Sequence, residues 1–290
     1  MNLGTPLNQA RPAYPADAAL NDLKQPDWNI LWKAKFASRA ALPRDAAYWD
    51  GRARSFAKAT ETGYRDQLLA LMKPEPDWTV LDMGCGSGTL AVPLAGQVAC
   101  VTAVDFSSEM LDVLGRRCAK EGISNIKTIH GSWEDDWGKL GIGTYDTVIA
   151  SRSLVVDDLQ SAILKLDAAA HKRAYIITMS GDGPHDRRLF DAIGRPHETG
   201  ADYIYYYNLL YQLGIRAHVS FIEEIRNRTY ESPEDALASL ELMFGDLTAR
   251  EKEKMAGYVR RHLIPSGGAW MFSYSQLIQW AVMWWEKEQA

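Results

Sequence analysis

The chain reads as an α/β protein built on a mostly parallel sheet, and three observations predict it. From residue 78 onward, short apolar runs alternate with amphipathic helical periods, the pattern of strands joined by helical crossovers. The first of these runs, Val80-Leu81-Asp82-Met83, breaks into Gly84-Cys85-Gly86-Ser87-Gly88-Thr89 before a helical period starts at Leu90. A second run, Val101-Thr102-Ala103-Val104, ends in Asp105, seventeen residues beyond Gly88.

Taken in order, residues 1–25 carry Pro6, Pro12 and Pro15 and read as a partly ordered arm. Trp28, Leu31, Trp32 and Phe36 then recur at helical spacing. A second helix follows Pro43, with Trp49, Ala53 and Phe56 on one stripe. A third runs from about 62 to 73, with Tyr64, Leu68, Leu71 and Met72 on one face. These N-terminal helices, within 1–75, are expected to pack on the core beside a cofactor cleft. Strands are read at about 78–83, 99–105, 126–130, 145–150 and 173–179, with Ser107 or Ser108 capping the helix of Met110, Leu111, Leu114 and Cys118. A helix near 203–213 leads to Val219-Ser220-Phe221-Ile222, and a final apolar run spans 277–285. Those two runs suit an antiparallel pair closing the sheet. The core unit is thus read as 76–231, with 269–290 returning to it.

Two segments exceed that minimal fold. Residues 181–201 are rich in Gly and Pro and read as a loop or short-helix excursion. Residues 232–268 carry two helix starts: Ser232-Pro233-Glu234-Asp235 combines a capping serine with proline at the first helical position, and Thr248-Ala249-Arg250-Glu251 is a capping box. The second segment is read as a helical cap insertion over a substrate pocket, or as a surface or dimerisation elaboration. Oligomeric state stays open.

Composition narrows the partners. Of 290 residues, 47% are hydrophobic and 24% charged, and the net charge is −5, which argues against a general polyanion binder. Arg187-Arg188 and Arg260-Arg261 suit solvated helix faces better than a phosphate track. No charged-then-apolar leader and no apolar run of membrane length is read, so the expectation is a cytoplasmic protein. The three cysteines, Cys85, Cys100 and Cys118, fit reduced thiols, and the six scattered histidines have no zinc-site spacing. No metal is expected.

The glycines let the backbone turn sharply and let a ligand lie against it. A carboxylate at Asp105 can accept from both hydroxyls of a ribose. The loop does not complete the dinucleotide pattern, because Thr89 stands at its last glycine position. An acid at Asp82 would also face a phosphate unfavourably, whereas it suits a ligand bearing an ammonium and a sulfonium. The D-x-G-x-G-x-G pattern resembles motif I of class I S-adenosylmethionine (SAM) dependent methyltransferases, and Ala103-Val104-Asp105-Phe106-Ser107 resembles their second motif. More narrowly, the chain resembles the small-molecule branch of that class. The resemblance covers 43–180 and implies a Rossmann-like seven-stranded sheet, SAM as cofactor and S-adenosyl-L-homocysteine (SAH) as product.

It also implies site residues. Gly84, Gly86 and Gly88, with Cys85 between them as a small side chain rather than a nucleophile, would lie along the methionine portion. Asp82 would organise the loop and favour the ammonium, and Asp105 would take the ribose. Phe106 either stacks on adenine or joins the core. Ser132, Trp133 and Glu134 fall on the adenine-contacting segment; relatives often carry Asp where Ser132 stands, which shifts the amino-group contact to Glu134 or a water. Ser151 and Arg152 face the transferred methyl, without the Asn or Asp plus two prolines of DNA amino-methyltransferases, so no DNA substrate is expected. Tyr48 and Arg52, on an aromatic entry helix, are candidates for the SAM carboxylate.

Methyl transfer from a sulfonium needs alignment in a dry cavity more than a dedicated catalytic group. A base is required only if the nucleophile must lose a proton. His185 is the candidate base there, against the alternative of an exposed loop histidine, and Arg152 is the other candidate for a catalytic role. The cluster 202–208, Asp-Tyr-Ile-Tyr-Tyr-Tyr-Asn, reads either as an aromatic pocket wall or as a helix packed on the sheet. The expected function is methylation of a small molecule. The alternatives are a protein or RNA acceptor, a non-catalytic SAM-binding module, and a nicotinamide-dependent oxidoreductase.

Overall fold

Strand β1 (Thr79–Met83) is buried on both faces, which only a central position in a covered sheet satisfies. A computed structural model describes residues 26–37, 45–53, 62–197 and 200–287 and puts β1 at that centre. The proposed N-terminal arm, Pro43 and Phe56 lie outside the described residues. Parallel neighbours flank β1: β2 (Cys100–Asp105) with β3 (Ile126–His130) on one side, β4 (Tyr145–Ser151) with β5 (Ala170–Met179) on the other. Beyond β5 come β10 (Gln276–Glu286) and β6 (His218–Arg226), with β10 antiparallel to both neighbours. The seven-stranded order is β3-β2-β1-β4-β5-β10-β6. The chain therefore has the Rossmann-like methyltransferase sheet.

Helices cover both faces. The described helices before β1 are α1 (Trp28–Ala37), α2 (Ala46–Asp50) and α3 (Thr62–Met72). The crossovers are α4 (Ala91–Ala95), α5 (Ser108–Glu121) and α6 (Leu159–Ala169). Ser107 caps α5 by accepting from the Met110 N–H, which settles the choice between the two serines. On the α1 stripe, Trp32 is buried and its indole donates to the Val156 carbonyl at 2.7 Å, but Leu31 is 40% exposed. The stripe is narrower than its spacing suggests.

Further helices follow: α7 (Arg187–Ile193) and α8 (Tyr203–Gln212). Of the tyrosines of α8, Tyr203, Tyr205 and Tyr206 pack on the core, while Tyr207 and Tyr211 are exposed. Tyr206 is buried, donates to the Leu154 carbonyl and meets Trp32 edge-on at 5.0 Å; Tyr205 meets Trp28 at 5.7 Å.

A second, smaller core lies apart from the sheet. It joins α7, α9 (Pro233–Phe244), α10 (Ala249–His262) and a three-stranded sheet ordered β7 (Thr229–Tyr230), β9 (Ala269–Phe272), β8 (Leu263–Ser266). Leu189 and Ile193 of α7 share it with Leu240, Met255 and Val259, so the 181–201 excursion and the 232–268 insertion pack as one body. Residues 269–272, grouped by sequence with the final strand, pair instead with β7 and β8. Among the described residues no helix is long and apolar enough to cross a membrane.

Candidate active site

The site grows from the end of β1. The carbonyl of Val104 on β2 accepts from both Gly84 and Cys85 N–H, at 2.8 and 2.9 Å, which folds the loop back over the sheet edge. Two of its glycines answer different needs. A Cβ on Gly84 would sit 2.2 Å from the Cβ of Ser153, so the loop closes against the chain after β4 only with hydrogen there. A Cβ on Gly86 would meet nothing within 4 Å, although φ is +53°. Gly86 thus presents bare backbone to open space, a cradle on the ligand side.

Two carboxylates frame the loop. Asp105, 6% exposed, accepts from the Gly86 N–H at 2.7 Å with one oxygen and from the Ser107 N–H at 2.9 Å with the other. It therefore shapes the loop directly, and each oxygen keeps a further lone pair for a hydroxyl. Burial raises its pKa, partly offset by those N–H bonds. Asp82, 1% exposed, lies deeper. Burial first, and the charge of Asp105 second, push its carboxyl up to about 7, against one bond from the Ala91 N–H. Its Oδ2 is fully buried and has no hydrogen-bond partner among the described residues. The Cys85 thiol is driven well above its usual pKa by burial and the two nearby acids, so it stays protonated and is a poor nucleophile.

An orphaned, desolvated carboxylate beside an open glycine cradle needs a cationic or donor-rich partner. SAM, with an ammonium, a sulfonium and a ribose diol, supplies those groups; a pyrophosphate does not.

The remaining predicted residues converge unequally. Ser151, at the end of β4, shares a 2.6 Å hydroxyl contact with Tyr64 of α3. Arg152 follows with φ +59°, a left-handed conformation that an arginine adopts only under tertiary constraint. Its N–H donates to the Ile177 carbonyl, and its guanidinium lies 4.5 Å over Tyr64 and 5.1 Å over Trp280. Ser153 donates to the Met83 carbonyl at 2.5 Å and accepts from the Trp133 indole at 3.1 Å. Trp133 is thereby a brace between the β3 and β4 loops. Ser132 accepts from the Glu134 N–H, and its own N–H is held by Asp135, so this turn is organised internally. Phe106 is half-buried, and its carbonyl accepts from His130 at 3.0 Å.

Tyr48 and Arg52 pair with each other, the guanidinium 3.7 Å over the ring. The helix of Tyr48, α2, which Arg52 follows, is docked at the Asp105 edge, where Asp50 accepts from Ser107 Oγ at 2.5 Å. His185 is set apart: its ring faces Phe190 at 6.1 Å and His197 at 5.8 Å, beside the second core. Residues that sequence reasoning did not select are Ser153, Tyr64 and Trp280. Only Ser153 carried a signal, its place two residues after β4.

Residues 80–170 match a family model described as a methyltransferase domain. The glycine loop, both acids, strands β2 to β4 and all of β1 but Thr79 lie inside that match. The chain belongs to the class I SAM-dependent methyltransferases. SAM is its cofactor, and the protein is an enzyme of the transferase class. It is also 39% identical over 245 residues to an uncharacterized protein of Haemophilus influenzae, a match covering 83% of this chain and 89% of that one, so this methyltransferase and that protein form one family. Magnesium-protoporphyrin O-methyltransferase of Rhodobacter capsulatus is 30% identical over 124 residues, 40% of this chain and 53% of that enzyme. Other matched segments belong to ribosomal-RNA methyltransferases and cover 14–28% of those proteins. Among solved structures, a cyclopropane-fatty-acyl-phospholipid synthase-like protein from Lactobacillus casei shares the fold, with TM-score 0.53, 13% identity, and coverage of 81% of this methyltransferase and 99% of that chain.

Proposed function

We propose that the enzyme methylates a small molecule received between the end of β4 and the cap. The observation that carries this reading is the second core itself, mounted on the strand pair β6 and β10 at the same end of the sheet as the glycine loop. Such a body bounds a substrate space from one side while the loop bounds it from the other. The enclosure serves a displacement that needs aligned partners and little water.

SAM supplies the electrophilic methyl on a positively charged sulfur. In this reading Asp82 holds negative charge behind the loop and favours the cationic ligand. Gly84, Gly86 and Gly88, with Cys85 between them, let it approach the backbone. Asp105 takes the ribose hydroxyls with its remaining lone pairs. Phe106, Ser132, Trp133 and Glu134 border the adenine, while Tyr48 and Arg52 approach from α2. Ser151 and Arg152, with Tyr64 and Trp280, form the floor on which the acceptor lies. His185, on the cap side, is the base candidate for an acceptor that must lose a proton.

Charge favours a small molecule over RNA. The net charge is −5, and two of the cations on this side are matched locally, Arg195 by Glu251 and Lys252 by Glu241. Turnover is tested by SAH release with a low-molecular-weight metabolite fraction, total RNA and total protein as separate acceptors. Release with the metabolite fraction is expected. Release with RNA or protein alone overturns the small-molecule reading.

A further inference from the structure

The turn that follows β3, residues 131–137, is tied at two points to the rim of the glycine loop. The Gly131 N–H donates to the Asp105 carbonyl at the end of β2, at 3.0 Å, and the Trp133 indole donates to the Ser153 carbonyl after β4, at 3.1 Å. Most other polar groups of the turn serve the turn itself. Asp135 accepts from the Ser132 N–H at 2.8 Å, Ser132 Oγ accepts from the Glu134 N–H at 3.2 Å, and the Trp137 indole donates to the Ser132 carbonyl at 3.3 Å. Glu134 differs: it is exposed, and its carboxylate has no partner among the described residues.

A residue on another element governs how that carboxylate is presented. Lys165 of α6 is half-buried, and its Nζ donates to the Trp133 carbonyl at 2.7 Å and to the Asp135 carbonyl at 2.8 Å. These are the carbonyls immediately before and after Glu134. One ammonium bonded to both fixes the backbone on either side of Glu134, with bonds strengthened by the donor's charge. Leu159, Ile163 and Leu166 of α6 are buried in the main core, so the clamp is mounted on the sheet and not on the turn. A carboxylate held at this place accepts from an amino group, whereas an oxo group, itself an acceptor, is repelled.

We propose that Lys165 is a positioning residue for the base of the cofactor: by clamping the carbonyls on either side of Glu134, it holds that carboxylate as the acceptor for the exocyclic amino group of adenine. The proposal rests on the reading of 132–134 as the adenine border, and it gives a chain with Ser132 at the usual acid's place its own means of telling an aminopurine from an oxopurine. The probes are SAH and S-inosyl-L-homocysteine, which carries an oxo group in place of the amine, each titrated calorimetrically into the full chain. Wild type binds SAH about tenfold or more tightly than the inosyl analogue, the worth of one charge-assisted hydrogen bond. Glu134→Gln, whose amide can face either group, brings the ratio to within about threefold, and Lys165→Met does the same with Glu134 intact. Lys165→Arg, whose guanidinium can donate to both carbonyls, restores the ratio. A purely structural staple would lower Tm and both affinities in Lys165→Met and leave their ratio unchanged. Glu134 is exposed, so its variant tests the contact without placing the fold at stake. No discrimination by wild type, a ratio unchanged in either variant, or no restoration by arginine overturns the proposal. Failure of SAH itself to bind wild type would instead strike the cofactor site, so the two failures are separable.

Discussion

Replacing Asp82 with Asn should strengthen the free protein at alkaline pH and weaken its hold on SAM. The carboxyl titrates at about 7 in the fold, against an ordinary value of 3.8. A group raised in this way stabilises the fold below its unfolded pKa, and that contribution is lost as pH rises through the folded value. At ~1.36 kcal/mol per pH unit, the whole loss is about 4 kcal/mol, of which about 3 kcal/mol falls between pH 5 and pH 8.5. Asp105, raised by its own burial, adds to the loss with the same sign. Urea denaturation of the ligand-free protein at those two pH values reads it. The wild type should lose more stability between them than Asp82→Asn, by about 3 kcal/mol. An unmatched amide left in the Oδ2 position costs about 1–3 kcal/mol at both pH values, so the difference between pH values, not either stability alone, is diagnostic. SAM affinity should fall below pH 7 in wild type, because a cationic ligand favours the ionised carboxylate. Equal pH dependence in wild type and variant would refute the reasoning.

Three further outcomes are expected. Gly86→Ala should cost only about 1–2 kcal/mol, the penalty of a left-handed alanine, yet abolish measurable SAM binding, whereas Gly84→Ala should cost more because its Cβ meets Ser153 at 2.2 Å; denaturation and calorimetry on both variants check the split. Trp133→Phe removes the brace to the Ser153 carbonyl and should cost about 1–3 kcal/mol while weakening SAM severalfold, read by the same two assays. Arg195→Met breaks the tie to Glu251 that holds α10 beside α7, so hydrogen exchange should quicken in 233–262 and stay unchanged in β1, β2 and β4.

What could be read from the sequence was local. The β1 loop announces itself because strand, glycines and acid are consecutive, and Asp105 follows at a fixed distance along one crossover. Ser232 and Thr248 were readable as helix starts for the same reason: the capping side chain and the N–H it serves lie three residues apart. The rest depends on contacts between distant residues. Nothing in 187–193 shows that Leu189 and Ile193 will share a core with Met255, so two insertions were read where one body forms. Strand β7 is two residues long and is created by its partner, not by its own propensity. The left-handed Arg152 carries no sequence mark, because the groups it meets, the Ile177 carbonyl and the Tyr64 and Trp280 rings, lie on other elements. The sequence marks Asp105 as a candidate ribose acceptor but not as the anchor of the Gly86 N–H, since that bond closes only when β1 and β2 pair. An alanine there would therefore test loop structure together with ribose binding.

The most direct test of the account is calorimetric titration of the wild type at pH 8 with SAM, SAH and NAD. Micromolar binding of the two adenosyl-sulfur ligands, one per chain, with no heat from NAD, is the predicted result. Binding of NAD, or of none of the three, would contradict the assignment of the Asp82–Asp105 loop as the SAM site.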